Sequence, residues 1–250
     1  MKPFKQVLDE EKAVLDRKIA ERKMRESMTI LPEHTTVKCL VCDKEFKKEP
    51  ESKRLTCSDS CKGLYNETIK EKRLKESIYI IPPKFRDTEL TQNKIELIRK
   101  HKNKSCFITG GAGVGKTVLM AGMIKEYIRD GVPVKWISYT EFIMTLQDLY
   151  KKEQAAEELT SVEQAKETAN FSGILAIDDI GAEKLTEYVR QVTYYIINQR
   201  EQFLLTTLIT SNFNLHQIDM QIDVRVSSRI AGMCDIIKLQ GEDKRIKKEN

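Results

Sequence analysis

The sequence contains an eight-residue stretch, GGAGVGKT, whose residue types and spacing suit phosphate binding. Glycine, four residues, glycine, lysine and then serine or threonine let backbone N–H groups surround a phosphate, while the following helix adds its positive end. Lys116 is expected to reach the β- and γ-phosphates and the Thr117 hydroxyl to bind Mg²⁺. The predicted ATP-binding loop consists of Gly110, Gly111, Ala112, Gly113, Val114, Gly115, Lys116 and Thr117.

Two adjacent carboxylates, Asp178 and Asp179, follow an apolar segment at 174–177. In phosphate-loop enzymes a carboxylate at the end of a buried strand holds the magnesium shell, and a second one can polarise the attacking water. We therefore predict that Asp178 holds Mg²⁺ and that Asp179 activates water. The alternative is a strand that merely ends in a solvated pair of aspartates, and the phosphate loop upstream favours the catalytic interpretation.

Four of the six cysteines form two closely spaced pairs, Cys39 with Cys42 and Cys57 with Cys61, separated by 14 residues. Zn²⁺ binds four soft ligands in a tetrahedron, and a site closed by four thiolates is structural, not catalytic. Few large apolar residues surround the pairs, so Zn²⁺ would supply folding energy that a core cannot. Four unrelated cysteines are the alternative, and His34 could compete as a ligand, although a plain loop histidine is the simpler interpretation.

The elements that position these groups are short apolar segments alternating with helical stretches after residue 83. Strands that alternate with helices predict a parallel sheet in an α/β fold. Cys106 and Cys234 lie in or beside two of the strands and are interpreted as small core residues. The expected strands cover 106–108, 134–137, 174–177, 204–209 and 236–237.

The first 77 residues are predicted to form a domain separate from 78–250, because two prolines near residue 82 mark a boundary. Apolar residues at helical spacing predict a helix over 4–28 and a second one over 62–77. The first helix either packs within a small domain or docks onto a protein partner.

Composition places the chain among globular proteins, with 40% hydrophobic and 32% charged residues in a length of 250. Its 11 glycines and 6 prolines are too few for collagen-like or low-complexity classes. No apolar run reaches membrane length and the first residues lack an apolar signal core, so we expect a cytoplasmic protein without a membrane partner. Residues 1–104 carry 26 Lys and Arg against 18 Asp and Glu, which favours either an anionic partner such as nucleic acid or a solvated helix surface.

The ordered motifs of 78–250 resemble the DnaC/DnaI branch of the AAA+ ATPases, the bacterial and phage replicative-helicase loaders, with transposition helper ATPases of the IstB type as near relatives. The resemblance implies an AAA+ P-loop domain with a parallel five-stranded sheet flanked by helices and no separate C-terminal lid. A small helical zinc-binding domain precedes it. The matching residues lie at 81–82, 85–86, 110–117, 178–183, 198–200, 210–212, 225, 228–230, 241 and 245.

The resemblance also implies roles for four further residues. Asn212 matches the sensor-1 residue that contacts the γ-phosphate and the attacking water, and Arg245 matches a sensor-2-like arginine at the nucleotide. Arg229 matches the arginine finger that reaches a neighbouring subunit's ATP, and Arg225 lies one helical turn earlier on the same face. The alternatives are an asparagine that stabilises a turn and arginines in surface ion pairs. Asp179 stands where most AAA+ members carry Glu, which implies slow, switch-like hydrolysis.

The function implied by the resemblance is that of an ATPase that loads a hexameric replicative helicase onto single-stranded DNA. It would bind ATP, Mg²⁺ and Zn²⁺, self-associate through its AAA+ domain, contact the helicase through 1–77, and act in the cytoplasm of a bacterial cell or a phage-infected host. One alternative is a transposition helper ATPase with a transposase as client. Another is an ATP-binding adaptor with negligible turnover, which Asp179 favours and which Asn212 and Arg229 argue against.

The stretch after the second strand, 138–152, mixes aromatic residues with lysines. Aromatics that stack on bases beside lysines that bind phosphates suit single-stranded DNA, and Lys151 or Lys152 would then contact it. The alternative is that the apolar residues pack into the core at helical spacing. Those residues are Phe142, Ile143, Leu146 and Leu149.

Overall fold

The computed structural model describes residues 34–153, 160–181 and 186–243. The predicted helix over 4–28 and the predicted nucleotide contact Arg245 lie outside the described residues. The chain divides into two compact units, Met1–Glu67 and Thr68–Asn250. Across the described part of the chain, none of the helices has the length and apolar character needed to span a membrane.

The first unit contains a two-stranded antiparallel hairpin followed by the start of a long helix. Val37 pairs with Phe46 across the hairpin, and the Arg54 guanidinium lies over the Phe46 ring at 5.3 Å. The helix predicted over 62–77 is confirmed and begins earlier, at Asp59. The elements are β1 (Thr35–Lys38), β2 (Glu45–Lys48) and α1 (Asp59–Ser77), the last of which continues into the second unit.

The second unit is built on a five-stranded parallel sheet, which confirms the predicted fold class. Its strands are rich in apolar residues because helices cover both faces of a parallel sheet. The strands are β3 (Ser105–Thr109), β4 (Val134–Ser138), β5 (Ile174–Asp178), β6 (Thr207–Ser211) and β7 (Cys234–Lys238). Their order across the sheet is β4-β5-β6-β3-β7.

Helices connect these strands and cover both faces of the sheet. The segment before the sheet contains a 3₁₀ turn (Ile78–Ile80) and the helices α2 (Pro83–Arg86) and α3 (Gln92–Lys100). The remaining helices are α4 (Lys116–Arg129), α5 (Tyr139–Glu153), α6 (Thr160–Ala169), α7 (Glu187–Gln202), α8 (Leu215–Gln221) and α9 (Val224–Met233).

Successive residues of each strand contribute to two different hydrophobic cores, as the period of two along a strand requires. Phe107 and Ile209 belong to a core that includes residues of α5, α7 and α9. Ile108 and Leu208 belong to a second core that includes much of α4. Cys106 is fully buried and Cys234 is 8% exposed, which confirms both as core residues.

The predicted start of the strand at 204–209 is wrong. Leu204 has a φ of +52° and is 91% exposed, and β6 begins only at Thr207. The apolar residues before Thr207 form the turn after α7, so the apolar run extends beyond the strand in the N-terminal direction. The last strand is also longer than expected, since it begins at Cys234 and not at residue 236.

Arg200 is fully buried at the end of the sheet where β5 and β6 begin. Its guanidinium donates to the carbonyl oxygens of Phe171 (2.9 Å), Gly173 (3.0 Å) and Thr206 (2.7 Å) and to the Thr207 hydroxyl (2.6 Å). Burial lowers the pKa of Arg200 to about 10. Arg200 is among the residues that match the resembled family, but the resemblance implies no role for it. The structure shows that its hydrogen bonds connect α7 to the residues at the start of β5 and β6.

Candidate nucleotide-binding site

The predicted phosphate loop connects β3 to α4, so the strand before it and the helix after it are both confirmed. Gly113 and Gly115 have φ values of +67° and +95°, in the left-handed region that glycine adopts readily. Gly115 caps α4, and the first backbone N–H groups of a helix lack partners within the helix. The loop and this helix start together form a site suited to phosphate.

The strand order brings the predicted catalytic residues to the loop. Strands β5, β6 and β3 are neighbours in the sheet, and all three run in the same direction. Asp178 ends β5, Asn212 directly follows β6, and the loop follows β3. Ligands of open parallel sheets bind beyond the carboxyl ends of the strands. The structure therefore places these groups at one edge of the sheet, around one cavity.

The cavity has a volume of about 440 Å³, within the range usual for small-molecule sites. The loop and the start of α4 form one wall, and Asp178, Asp179 and Asn212 lie beside them. The segment before the sheet supplies further lining residues, which include Phe85 and Lys94.

Lys116 connects the loop to the predicted catalytic residues beside the neighbouring strands. Its Nζ donates to the carbonyl oxygens of Gly110 (2.9 Å) and Gly111 (2.7 Å) and to Asn212 Oδ1 (2.6 Å). Asn212 in turn donates from Nδ2 to Asp179 Oδ1 at 2.9 Å. This chain of contacts joins the predicted phosphate-binding lysine, the sensor-1 match and the predicted water-activating carboxylate.

Asp178 and Thr117 are close enough to share a cation. The Thr117 hydroxyl donates to Asp178 Oδ1 at 3.0 Å, and the Thr210 hydroxyl donates to the same oxygen at 2.6 Å. Burial raises the pKa of Asp178 above its usual range, although both hydroxyl bonds oppose the shift. A hydroxyl and a carboxylate oxygen at this separation are the hard oxygen ligands that Mg²⁺ prefers, so the residues present fit magnesium.

The two predicted finger arginines lie side by side on α9. Arg225 is paired with Asp223 (2.7 Å), and Arg229 with Glu201 (2.7 Å) and the Tyr194 hydroxyl (3.1 Å). Both guanidinium groups lie over the Tyr194 ring, at 4.4 and 5.3 Å. Within one chain they form the ion pairs of the alternative interpretation, and neither is among the described residues that line the cavity. Their role toward a neighbouring subunit stays a prediction.

Sequence analysis gave Phe85 among the residues that match the resembled family but did not predict its place at the cavity, where its ring stacks on Trp136 with centroids 6.3 Å apart. It also missed Lys94, which is only 9% exposed. Lys94 shares the buried face of α3 with Ile98, four residues later. A lysine on the apolar face of a short helix was the one available signal.

The four predicted zinc ligands come together in the first unit. The Sγ atoms of Cys39, Cys42, Cys57 and Cys61 all lie within 4.8 Å of one another. Cys42 and Cys57 are 3.5 Å apart and Cys57 and Cys61 3.7 Å, near the separation of about 3.8 Å that tetrahedral Zn–S bonds of about 2.3 Å require.

The protonation of Cys39 also suits a metal. Burial opposes its ionisation, but the N–H groups of Val41, Cys42 and Cys57 together lower the pKa of Cys39 to about 6, whereas the hydrogen bond with the Cys42 side chain and burial raise the pKa of Cys57 to about 12. A thiolate is the form that binds Zn²⁺. The six cysteines are free thiols. The cluster therefore fits a structural zinc site.

The packing alternative for the aromatic stretch is largely confirmed. Phe142, Ile143 and Leu146 are buried, with exposures of 7%, 2% and 0%, while Leu149 is half-buried. Lys151 is exposed and lies 3.4 Å from Asp148. The side chain of Lys152 lies outside the described residues, so DNA contact at these lysines stays a prediction.

Comparison with known proteins identifies a family and several similar proteins. A family model described as "IstB-like ATP binding protein" matches residues 85–250. The chain is 26% identical over 157 residues to the replicative helicase loader DnaI of Bacillus subtilis (strain 168). It is 24% identical over 126 residues to the replicative helicase loader DnaC of Escherichia coli (strain K12). The matches cover 58% and 50% of this chain and 48% and 49% of the relatives, so the chain spans about half the length of the curated relatives it matches.

Solved structures show the same fold. A crystal structure of DnaI superposes with a TM-score of 0.50 at 22% identity, covering 67% of this chain and 93% of that chain. AMPPCP-bound DnaA from Aquifex aeolicus superposes with a TM-score of 0.53 at 19% identity, covering 66% of this chain and 52% of that chain. These similarities confirm the AAA+ architecture, the parallel five-stranded sheet flanked by helices.

Proposed function

The chain belongs to the family of IstB-like ATP binding proteins, and from that premise we propose that it is an ATP-dependent loader of a hexameric replicative helicase onto single-stranded DNA. One observation carries the proposal. A nucleotide site with Lys116, Asn212 and Asp179 in hydrogen-bond contact occurs in a chain whose curated relatives are named replicative helicase loaders.

In the proposed reaction the loop and Lys116 bind the phosphates of ATP, and Asp179 orients the attacking water. Thr117 and Asp178 hold Mg²⁺, which when bound offsets phosphate charge. Asn212 fixes both Lys116 and Asp179, to which it is hydrogen-bonded. Asp has a shorter side chain than Glu, and we propose that this makes hydrolysis slow and switch-like.

Self-association through the AAA+ domain would complete the site. Arg229 would reach the γ-phosphate of a neighbouring subunit, with Arg225 beside it on α9. The position of both arginines away from the described lining of their own cavity supports an action between subunits.

We assign a different function to each of the two predicted domains. Residues 1–77, stabilised by Zn²⁺ at the four-cysteine cluster, would contact the helicase, and 78–250 would bind ATP and single-stranded DNA. The closed set of four thiolates supports a structural metal, since a catalytic zinc keeps an open position.

Copurification from the native host, with the full chain as bait, tests which protein the chain binds. We expect a hexameric replicative helicase, retained by a fragment ending near residue 77 and lost from 78–250 alone. ATP turnover is then measured with and without single-stranded DNA.

The second candidate is a transposition helper ATPase, which the IstB-like family model favours. Recovery of a transposase in place of a helicase would support that function. A folded chain that binds ATP without turnover, with or without DNA, would support the adaptor.

A further inference from the structure

Lys94 is a buried ammonium group at the wall of the nucleotide cavity. It lies near the start of α3 and is only 9% exposed. A β-carbon placed on Gly115 would lie 2.5 Å from Lys94 Nζ, so the ammonium rests directly against the last glycine of the loop. In the site already described, Lys116 is the one lysine assigned to phosphate binding, together with the backbone of the loop.

The two lysines lie at opposite ends of the loop. Lys116 Nζ contacts the first two carbonyl groups of the loop and Asn212, the predicted contact of the γ-phosphate. Lys94 Nζ lies at Gly115, where α4 begins. A polyphosphate bound along the loop would therefore meet Lys116 at its γ end and Lys94 at the end next to the nucleoside.

We infer that Lys94 is a second phosphate-binding lysine, which contacts the α-phosphate of a nucleoside di- or triphosphate. The inference rests on the proposed ATP site. Phe85 and Thr91, which come from the same segment before the sheet as Lys94, also line the cavity. Lys94 is only 9% exposed, and a charge-assisted contact between such a poorly solvated ammonium group and phosphate is stronger than at the surface.

The α-phosphate keeps its charge and its bonds when the γ-phosphoryl group is transferred. A contact to it stabilises the ground state and the transition state equally, and such uniform binding appears in KM and not in kcat. Lys94 should therefore set the affinity for both ADP and ATP by the same factor. A residue at the γ end would instead discriminate between them.

The experiment compares Lys94→Met with Lys100→Met, an exposed lysine of the same helix, in the full chain. Titration with ADP and with ATP should show a loss of roughly tenfold in affinity for Lys94→Met, equal for the two nucleotides. Lys100→Met should bind as the unmodified chain does. Lys94→Gln, which keeps a polar end group, is the second variant and should show the same equal loss. Circular dichroism confirms that the titrated proteins are folded.

Two outcomes would overturn the inference: affinities within twofold of the unmodified chain, or a loss confined to ATP. The Lys116→Ala variant in the same titration separates this inference from the proposed function. Weak binding by Lys116→Ala with normal binding by both Lys94 variants refutes the role of Lys94 alone. Normal binding by Lys116→Ala refutes the ATP site itself.

Discussion

Asp179 combines an unusual backbone conformation with an engaged side chain. Its φ is +62°, its N–H donates to the Thr210 hydroxyl at 2.8 Å, and its carboxylate accepts from Asn212 at 2.9 Å. A left-handed conformation costs a residue other than glycine about 1–2 kcal/mol and persists where the surrounding structure enforces it. A carboxylate fixed in this way suits a group that must hold water in line with the γ-phosphate.

The first prediction concerns this carboxylate. Asp179→Asn keeps the size and tolerates the backbone conformation but removes the negative charge that would polarise water. We expect ATP binding within about twofold and single-turnover hydrolysis slower by roughly 100-fold or more. The matched control is Asp148→Asn, an exposed aspartate on α5. Hydrolysis at the unmodified rate would remove Asp179 from the mechanism.

At the scale of elements, Arg200 provides the second prediction. Arg200→Met would leave the carbonyl groups of Phe171, Gly173 and Thr206 without their buried donor. Each such group costs about 1–3 kcal/mol, so we expect the free energy of unfolding to fall by about 3 kcal/mol or more. Urea unfolding measures the loss, with the exposed Arg99→Met on α3 as control. A loss no larger than the control's would mean that other contacts hold α7 to the sheet.

The cysteine cluster gives the third prediction. The purified chain should carry close to one Zn²⁺, and Cys57→Ser should release it because a site of four ligands loses one of its thiolates. Since the first unit has a small core, it should unfold without the metal while the ATP site continues to bind nucleotide. Metal analysis and limited proteolysis measure both effects, with the exposed Ser60→Ala as control. Freshly purified, reduced protein without zinc would contradict the assignment.

The sequence predicts much of the α/β domain because its signals are local. The apolar segment that ends at Asp178 is enough to predict a strand. The phosphate-loop motif likewise predicts a strand before it and a helix after it. Leu204 shows the limit, because an apolar residue in a turn looks like the start of the next strand. Lys94 shows another, because its contact with Gly115 depends on how α3 packs, which one sequence does not reveal. The ion pair of Arg229 with Glu201 could not be predicted for the same reason, because it joins two helices whose packing one sequence does not reveal.

For the whole molecule, the position of α9 decides whether Arg225 and Arg229 can act on the nucleotide of their own chain. The nucleotide cavity lies at the carboxyl ends of β3, β5 and β6, while Arg225 and Arg229 are paired with Asp223, Glu201 and Tyr194 on and beside α9 and α7. Arg229 is held by two partners in a defined place, and a cation held in place is suited to act on a site presented by another copy of the chain. We propose that the ATPase is complete only when subunits assemble.

The last prediction tests that arrangement. Arg229→Ala should bind ATP nearly as the unmodified chain does, because Lys116 and the loop are intact, yet it should lose hydrolysis and ATP-driven assembly. An arginine finger raises the rate by a factor of roughly 10³–10⁵ in other phosphate-loop enzymes, and we expect a smaller factor in a slow switch. Mixing Arg229→Ala with Lys116→Ala should restore part of the activity, because one chain brings a competent site and the other an intact finger. The exposed Arg99→Ala should behave as the unmodified chain in every assay. Full hydrolysis by Arg229→Ala under assembling conditions, or no recovery on mixing, would show that the finger does not act between subunits.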